Sequence, residues 1–176
     1  VVGGSMGGMQ VLEWGVMYPQ RVRSIAPITT TLAAGAQQVA WSAVGRTVLA
    51  LDPRFRGGDY YDAEPGVGPF AGLAIARSVA QITYRSNEVF DNRFARDLVD
   101  PRALFGPWDR FQVESYLDYH GEKLVRRFDA NSYLVLNRVM DLHDLARDRG
   151  GMDLAVGRLA HLPALTLSIS SDTLYP

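Results

Sequence analysis

The sequence predicts an α/β fold: a strand–helix–strand unit first, then a long helical stretch, then a returning strand. Three observations lead to this prediction. Residues 1–18 pass from an apolar strand end through a glycine-rich turn into a helical pattern. Residues 33–159 contain helical stretches and loops but no convincing buried strand. The apolar segment 162–170 then restores a strand.

The glycine-rich turn reads G-x-S-x-G at Gly3, Ser5 and Gly7. In a nucleophile elbow, a serine lies on a strained strand-to-helix turn that exposes its hydroxyl. Glycines two positions away are expected on both sides, because a β-carbon there would collide with the neighbouring strand and helix. The backbone N–H of the next residue, Met6, then points at a developing oxyanion. Placement between an apolar strand end and a helical pattern favours an elbow over an ordinary glycine-rich turn.

The elements around the turn complete a βαβ unit. A helix is predicted over residues 6–18, with Pro19 as a stop signal. Residues 24–29 form a short apolar strand. Strand, helix and strand in this order are typical of a parallel sheet.

The long middle stretch is predicted to be a helical lid. Its most periodic helix covers residues 131–147, with His143 on the apolar face. A helical insertion between two sheet strands is typical of a lid over a site at the carboxyl ends of the strands. We therefore assign residues 1–32 and 161–176 to the core and 33–160 to the lid. The remaining predicted helices of the lid cover residues 35–51, 72–84, 87–98, 113–125 and 152–159, with a loop over 56–69.

The composition excludes several classes of function. The formal charge is −1, so nothing favours nucleic acid or an anionic membrane as a partner. No apolar run has the length of a membrane span or the profile of a signal peptide. The absence of cysteine excludes thiolate catalysis, and the histidines fit no metal-ligand spacing, so no metal is expected. This composition suits a cytoplasmic protein.

The sequence begins on what are predicted to be the last residues of a strand, and it ends shortly after another apolar strand. Domains rarely begin and end within their core. We therefore expect the chain to be a segment of a longer protein.

A nucleophilic serine needs a base, usually a histidine that a carboxylate orients. Behind an elbow of this kind, the order along the chain is serine, carboxylate, histidine. Asp172 follows the last predicted strand, where the carboxylate belongs; alone it would be interpreted as a turn cap, but together with the elbow it favours a triad. No histidine follows it, and neither His120, His143 nor His161 is assigned as the base.

Several segments, taken in order, carry a resemblance to a known family. They are residues 3–10, 13–14, 58–61, 72–77, 83–86, 113–117, 127–134 and 171–176. They closely resemble the homoserine O-acetyltransferases (MetX family) of methionine biosynthesis, over nearly the whole chain.

This resemblance implies an α/β-hydrolase fold, here partial, and a homodimer formed through the lid. It also implies a ping-pong reaction without a cofactor: acetyl-CoA acylates the serine, and the hydroxyl of L-homoserine then takes the acetyl group. Ser5 resembles the nucleophile, Asp172 the carboxylate that orients the histidine, and the Met6 N–H half of the oxyanion hole. Arg77 and Tyr84 resemble the pair that contacts homoserine.

Physical chemistry supports the role of Arg77. It lies seven residues from Tyr84 on one predicted helix, and therefore on the same face. A buried guanidinium is costly unless it meets an anion, and an amino-acid carboxylate offers it a bidentate partner. Taken singly, a solvated arginine and a core tyrosine are the alternatives. For Asn131, helix capping is the expected role.

The family's histidine and its second oxyanion N–H are expected outside this segment. A triad enzyme without its base loses roughly a millionfold in kcat, so we expect the segment alone to be nearly inactive. Unpaired strand edges would favour its aggregation.

Other functions stay open. The same elbow serves serine hydrolases and homoserine O-succinyltransferases, and the acyl pocket cannot be inferred from this segment. A non-catalytic helical interaction module is a distant alternative, because such a module needs no elbow.

Overall fold

The chain opens with two short parallel strands joined by a helix, as predicted. They are β1 (Val2–Gly4), α1 (Met6–Met17) and β2 (Ala26–Ile28). The strands pair in parallel, with Val2 opposite Ala26 and Gly4 opposite Ile28. The structure, a computed structural model, describes residues 1–175.

The helices that follow agree with the predicted ones, with two exceptions. Two predicted helices end early, the first at Phe94 and the second at Asp141. The loop over residues 56–69 contains a 3-10 turn, Arg56–Gly58. The helices are α2 (Ala36–Leu51), α3 (Phe70–Thr83), α4 (Asn87–Phe94), α5 (Gln112–Val125), α6 (Ala130–Asp141) and α7 (Met152–Gly157).

The returning strand predicted over residues 162–170 is only partly correct. Residues 163–167 run parallel to β2, with bridges from Ile25 to Ala164 and from Ile28 to Leu167. Ladder hydrogen bonds join Ile25 N to Pro163 O at 3.0 Å and Leu167 N to Pro27 O at 3.3 Å. Between them the ladder needs an N–H from residue 27, which is a proline and has none. This missing rung leaves isolated bridges in place of a continuous strand.

The helix predicted over residues 131–147 is also wrong at its end. Beyond Asp141 the chain leaves the helix and pairs in antiparallel fashion with residues 32–34. The N–H of Leu145 donates to Leu32 O at 2.8 Å, and the N–H of Ala34 donates to His143 O at 2.8 Å. Because this pairing replaces helical hydrogen bonds, His143 lies in a connection and not on a helix face.

The described chain divides into two compact units. The first comprises residues 1–39 and 137–175, and the second comprises residues 40–136. These bounds differ from the lid predicted over residues 33–160, because residues beyond the end of α6 pack with α1. Leu145 and Ala155, both fully buried, share a cluster with Leu12 and Val16 of α1.

A second cluster completes the core of the first unit. Val11 of α1 packs with Val22, Ile25 and Leu162. Helix α1 therefore places one buried face against β2 and another against the segment around α7. This burial holds α1 in place behind the turn that carries Ser5.

The second unit has a closed helical core. Leu49, Leu73 and Leu124 are buried with Phe55, Tyr60 and Ala130. Helices α3 and α5 approach closely at Gly121, where a β-carbon would lie 2.9 Å from Ala74 O. A larger residue at position 121 would force the two helices apart.

The start of α6 is capped by a network of tyrosine and aspartate. Asp129 accepts a hydrogen bond from Ser132 N at 2.7 Å and another from the Tyr60 hydroxyl. Asn131 donates through Nδ2 to Gly58 O at 2.8 Å. Asp129, and not Asn131, is therefore the helix cap, and Asn131 holds the preceding loop. Burial, together with the hydrogen bond to Asp129, raises the pKa of Tyr60 far above its usual range.

Within residues 1–175, no helix combines the length and apolar character that crossing a membrane would require.

Candidate active site

Ser5 occupies the turn between β1 and α1 with strained backbone angles. Its φ is 54° and its ψ is −121°. Its N–H donates to Ile28 O at 2.9 Å, and its carbonyl accepts from Gly8 N at 2.8 Å and from the Thr30 hydroxyl at 2.9 Å. A non-glycine residue at positive φ costs on the order of 1–3 kcal/mol, and such strain persists only where surrounding contacts over-determine it. The geometry is that of a nucleophile elbow, with the serine side chain exposed.

The two glycines of the motif have different roles. A β-carbon on Gly3 would lie 2.5 Å from Gly7 O, which is a collision between backbone atoms. A β-carbon on Gly7 would meet nothing within 4 Å in the described chain, so the prediction that both glycines avoid a collision is wrong for Gly7. The second tight position is Gly8, where a β-carbon would lie 2.6 Å from Thr30 Cβ. The turn therefore depends on Gly3 and Gly8.

Met6 begins α1 directly after the serine. N–H groups in the first turn of a helix have no acceptor within that helix. They also lie at the positive end of the helix dipole. The Met6 N–H is thus suited to donate to an oxyanion beside Ser5, and its role in an oxyanion hole stays a prediction.

The Ser5 hydroxyl contacts a residue that sequence reasoning missed. The Tyr175 hydroxyl lies 3.3 Å from Ser5 Oγ, and it also lies 3.8 Å from Met140 Sδ. The two residues are 170 positions apart, so no local pattern connects them. The only sequence signal was that Tyr175 belongs to a segment that carries the family resemblance.

Asp172 fixes the turn that carries Tyr175. Its Oδ1 accepts the N–H of Leu174 at 2.8 Å and that of Tyr175 at 2.9 Å. This is the turn-capping role considered as the alternative from the sequence. Its Oδ2 forms no hydrogen bond within residues 1–175, so the carboxylate retains an acceptor for another group.

His143 is buried and engaged elsewhere. Its Nε2 lies 3.0 Å from Thr31 O, and its Nδ1 lies 4.0 Å from a carboxylate oxygen of Glu13. Burial lowers its pKa, although the Thr31 carbonyl and Glu13 partly oppose this. Among the described residues of this unit, no histidine ring hydrogen-bonds to the Ser5 hydroxyl. His143 is a packed histidine, as expected, although not on a helix.

Glu13 also forms an ion pair within the first unit. Arg149 donates to both of its carboxylate oxygens, at 3.1 and 2.6 Å. This bidentate pair raises the pKa of Arg149. It ties α1 to the connection before α7, and so stabilises the helix on which the elbow depends.

A cavity of about 920 Å³ runs along α1 from the elbow. Its wall includes Met6, Gln10 and Trp14 from α1 and Val139 and His143 from the other side. The mixture of apolar and polar side chains suits a small organic molecule with a few polar groups.

Arg77 and Tyr84 lie in the second unit and contact one another. The Arg77 guanidinium carbon is 5.1 Å from the centroid of the Tyr84 ring. Tyr84 directly follows α3 and is 44% exposed. Arg77 forms no ion pair within the described residues, which leaves its charge available for an anion. The predicted proximity of the two side chains is therefore present.

Comparisons with known proteins agree with this geometry. The family described as alpha/beta hydrolase fold matches residues 1–175. The chain is 49% identical over 179 residues to a homoserine O-acetyltransferase of Thermobifida fusca (strain YX), which covers 100% of this chain and 46% of that relative. The chain thus spans under half the length of the relative it matches.

Two solved structures are similar over the whole chain. A homoserine O-acetyltransferase from Bacillus anthracis has a TM-score of 0.88 at 21% identity, covering 100% of this chain and 46% of that one. An acetylester hydrolase from Corynebacterium glutamicum has a TM-score of 0.80 at 27% identity, covering 100% and 47%. The predicted resemblance to homoserine O-acetyltransferases is confirmed. The strained serine turn agrees with the family match over residues 1–175, and the chain belongs to the α/β-hydrolase fold family.

Proposed function

We propose that the protein to which this chain belongs is a homoserine O-acetyltransferase that works through an acetyl-serine intermediate. The observation that carries the proposal is the Ser5 elbow, with its exposed hydroxyl beside the first turn of α1. The 49% identity to a homoserine O-acetyltransferase supports the choice of reaction. The proposed reaction uses no cofactor, and acetyl-CoA takes part as a substrate.

In the first half-reaction, Ser5 Oγ attacks the thioester carbonyl carbon of acetyl-CoA. An imidazole base takes the hydroxyl proton, the new C–O bond forms, the C–S bond breaks, and the proton leaves with the CoA thiol. The Met6 N–H donates to the oxyanion of the tetrahedral intermediate.

The imidazole base is expected from a part of the protein outside this chain. Asp172 would hold it, because its Oδ2 is available while its Oδ1 caps the turn. A carboxylate in this position sets the tautomer of the imidazole and stabilises it once it is protonated.

In the second half-reaction, the hydroxyl oxygen of L-homoserine attacks the acetyl-serine carbonyl. Its proton passes through the same imidazole to Ser5 Oγ as the ester bond to the serine breaks. Arg77 would bind the homoserine carboxylate, supported by its lack of an ion pair among residues 1–175, and Tyr84 would contact the same substrate. We further propose a cytoplasmic homodimer formed through the lid, with a role in methionine biosynthesis.

A second candidate function is ester hydrolysis. The structural similarity to an acetylester hydrolase favours it, because the same elbow serves both reactions. Water in place of homoserine would complete the second half-reaction. A homoserine O-succinyltransferase would differ only in the acyl donor.

The test uses the full-length protein with acetyl-CoA or succinyl-CoA, and follows thiol release with and without L-homoserine. We expect thiol release that depends on acetyl-CoA and homoserine together, and O-acetylhomoserine as the product. The variant S5A should lose activity by about a millionfold, whereas S24A, which removes an exposed hydroxyl, should keep it. Equal thiol release without homoserine would indicate a hydrolase. If a fluorophosphonate failed to label Ser5, a non-catalytic module would be favoured.

A further inference from the structure

A group of cations in the second unit surrounds His120 and has no anionic partner. We call Arg77, Arg85, Arg93 and Lys123 the His120 cation cluster. All of them act electrostatically on the His120 ring. None forms an ion pair within residues 1–175, although the whole chain has a formal charge of −1. Positive charge is therefore concentrated at this cluster, although the chain as a whole is slightly negative.

No carboxylate of the neighbouring helices forms an ion pair with the cluster within residues 1–175. On α5, Asp118 pairs with Arg110, and Glu122 pairs with Arg126 at 3.6 Å. On α4, Asp91 accepts a hydrogen bond from Asn87 at 2.9 Å. Neither these acids nor Glu88 on α4 forms an ion pair with the cluster within the described residues, so the cations of the cluster have no carboxylate partner there.

Aromatic rings, and not carboxylates, hold the cations. The Arg93 guanidinium carbon lies 4.9 Å from the Tyr116 ring centroid. The Lys123 ammonium lies 5.8 Å from that of Tyr119. Both rings pack against His120, at 4.5 and 5.2 Å between centroids. A ring beneath a cation orients it and leaves its N–H groups able to bind an anion.

The centre of the cluster is buried and hydrogen-bonded. Tyr116 is buried, and its hydroxyl accepts a hydrogen bond from Gln81 Nε2 at 2.7 Å. This bond joins α5 to α3, the helix that carries Arg77. Rigid support lowers the cost of ordering side chains when a ligand binds.

His120 lies at the centre of the cluster as an uncharged ring. Burial and then the cations of the cluster lower its pKa, so the ring is neutral at pH 7. A neutral imidazole adds a hydrogen-bond donor to the site without adding to the repulsion between the cations.

We propose that Arg93 and Lys123, held over the two rings that pack against His120, bind the phosphate groups of a phosphorylated ligand. Several separate cations match a polyanion better than a single carboxylate, and guanidinium groups bind phosphate oxygens in bidentate fashion. Two sources share this chemistry: the phosphates of CoA and a free phosphate compound. Assigning the site to CoA rests on the proposed function.

The first test measures binding without turnover. Full-length protein is titrated with inorganic pyrophosphate by calorimetry at low and at high salt. We expect binding that weakens with salt, and a Kd about tenfold higher in R93Q/K123Q, because two surface charge contacts are lost. The matched control R126Q removes a charge from the end of the same helix α5, outside the cluster, and should change Kd less than about twofold. No binding, or equal effects of the two changes, would overturn the proposal.

The second test distinguishes the two sources. If CoA supplies the phosphates, R93Q/K123Q should raise the KM for acetyl-CoA about tenfold with kcat and the KM for homoserine unchanged. An unchanged KM together with weakened pyrophosphate binding would indicate a free phosphate compound. Pyrophosphate binding does not depend on acetyl transfer. The first test would therefore still decide whether the cluster binds phosphate if the protein proved not to be an acetyltransferase. If the protein transferred acetyl groups to homoserine but pyrophosphate did not bind at the cluster, the phosphate site would be wrong and the proposed function would stand.

Discussion

The two units hold their functional side chains by different means. In the first unit, Ser5 is placed by its own backbone, through a strained turn and hydrogen bonds to β2 and Thr30. In the second unit, Arg77 projects from α3, the helix that also carries the fully buried Leu73. Changes in the first unit should therefore affect the chemistry of the serine directly. Changes in the second unit should act first on stability.

Among variants that keep Ser5, the largest effect on its reactivity is expected at the elbow, from G3A. The new β-carbon would meet Gly7 O at 2.5 Å, so β1 and α1 must separate. Displacing a reacting group by about 1 Å can cost roughly a hundredfold in rate. We expect the rate at which a fluorophosphonate labels Ser5 in the full-length protein to fall by about that factor.

The control for this change is G7A, which alters the other glycine of the motif. Its β-carbon meets open space within the described chain, so labelling should stay within about threefold of the unchanged protein. Equal losses in both variants would show that the backbone contact at Gly3 does not decide the geometry of the elbow.

In the second unit, L73A should reduce stability by about 2–5 kcal/mol, because it leaves a cavity in a closed core. The matched variant I75A lies on the same helix, and its side chain is 50% exposed, so its cost should be below about 1 kcal/mol. Denaturant unfolding of the full-length protein measures both. If L73A slowed Ser5 labelling as strongly as G3A at a temperature where it stays folded, the contrast between the units would be wrong.

A smaller effect is expected from Y175F, which removes the hydroxyl 3.3 Å from Ser5 Oγ and keeps the ring. Either hydroxyl of this pair can donate, but once the serine loses its proton only the Tyr175 hydroxyl can do so, and its donation stabilises the negative charge on Ser5 Oγ. One such hydrogen bond contributes on the order of 1 kcal/mol, so labelling should slow by about three- to tenfold.

The control for the hydroxyl of Tyr175 is Y18F. Tyr18 packs its ring against Trp14 at 5.1 Å in the same unit. Its variant should label at the unchanged rate. Y175F with unchanged labelling would show that the contact with Ser5 is incidental.

Local sequence patterns predicted the elements that local forces decide. Helical spacing located α1 and α3 to within two residues, and the G-x-S-x-G pattern located Ser5. The errors arose where distant backbone segments meet. Pairing with residues 32–34 ended α6 early, and Pro27 interrupted the ladder of the returning strand.

The same limit applies to the site. The contact between Tyr175 and Ser5 joins the two ends of the chain, and no spacing in the sequence encodes it. The Asp172 carboxylate could be located because it follows a strand, but its turn-capping bonds required the structure. A role towards a histidine stays a prediction.

The smallest effect is a pH dependence of stability that each unit should share. Burial lowers the folded-state pKa of His143 in the first unit and of His120 in the second. An unfolded histidine titrates near 6.5, so just below that pH the unfolded chain binds more protons than the folded one. Stability is then complete above about pH 6.5 and falls as the pH decreases towards the lowered folded pKa. Around His143, Glu13 and Asp144 oppose this shift and Arg149 adds to it.

Melting temperatures of the full-length protein at pH 7.5 and 5.5 test this. H143Q and H120Q should each reduce the difference between the two temperatures, and the double variant should reduce it most. H161Q, which replaces an exposed histidine, should leave the difference unchanged. If only H143Q flattened the pH dependence, the ring of His120 would be accessible to protons despite its cations. The two units would then differ in their histidines as well: His143 would contribute to the pH dependence of stability, and His120 would not.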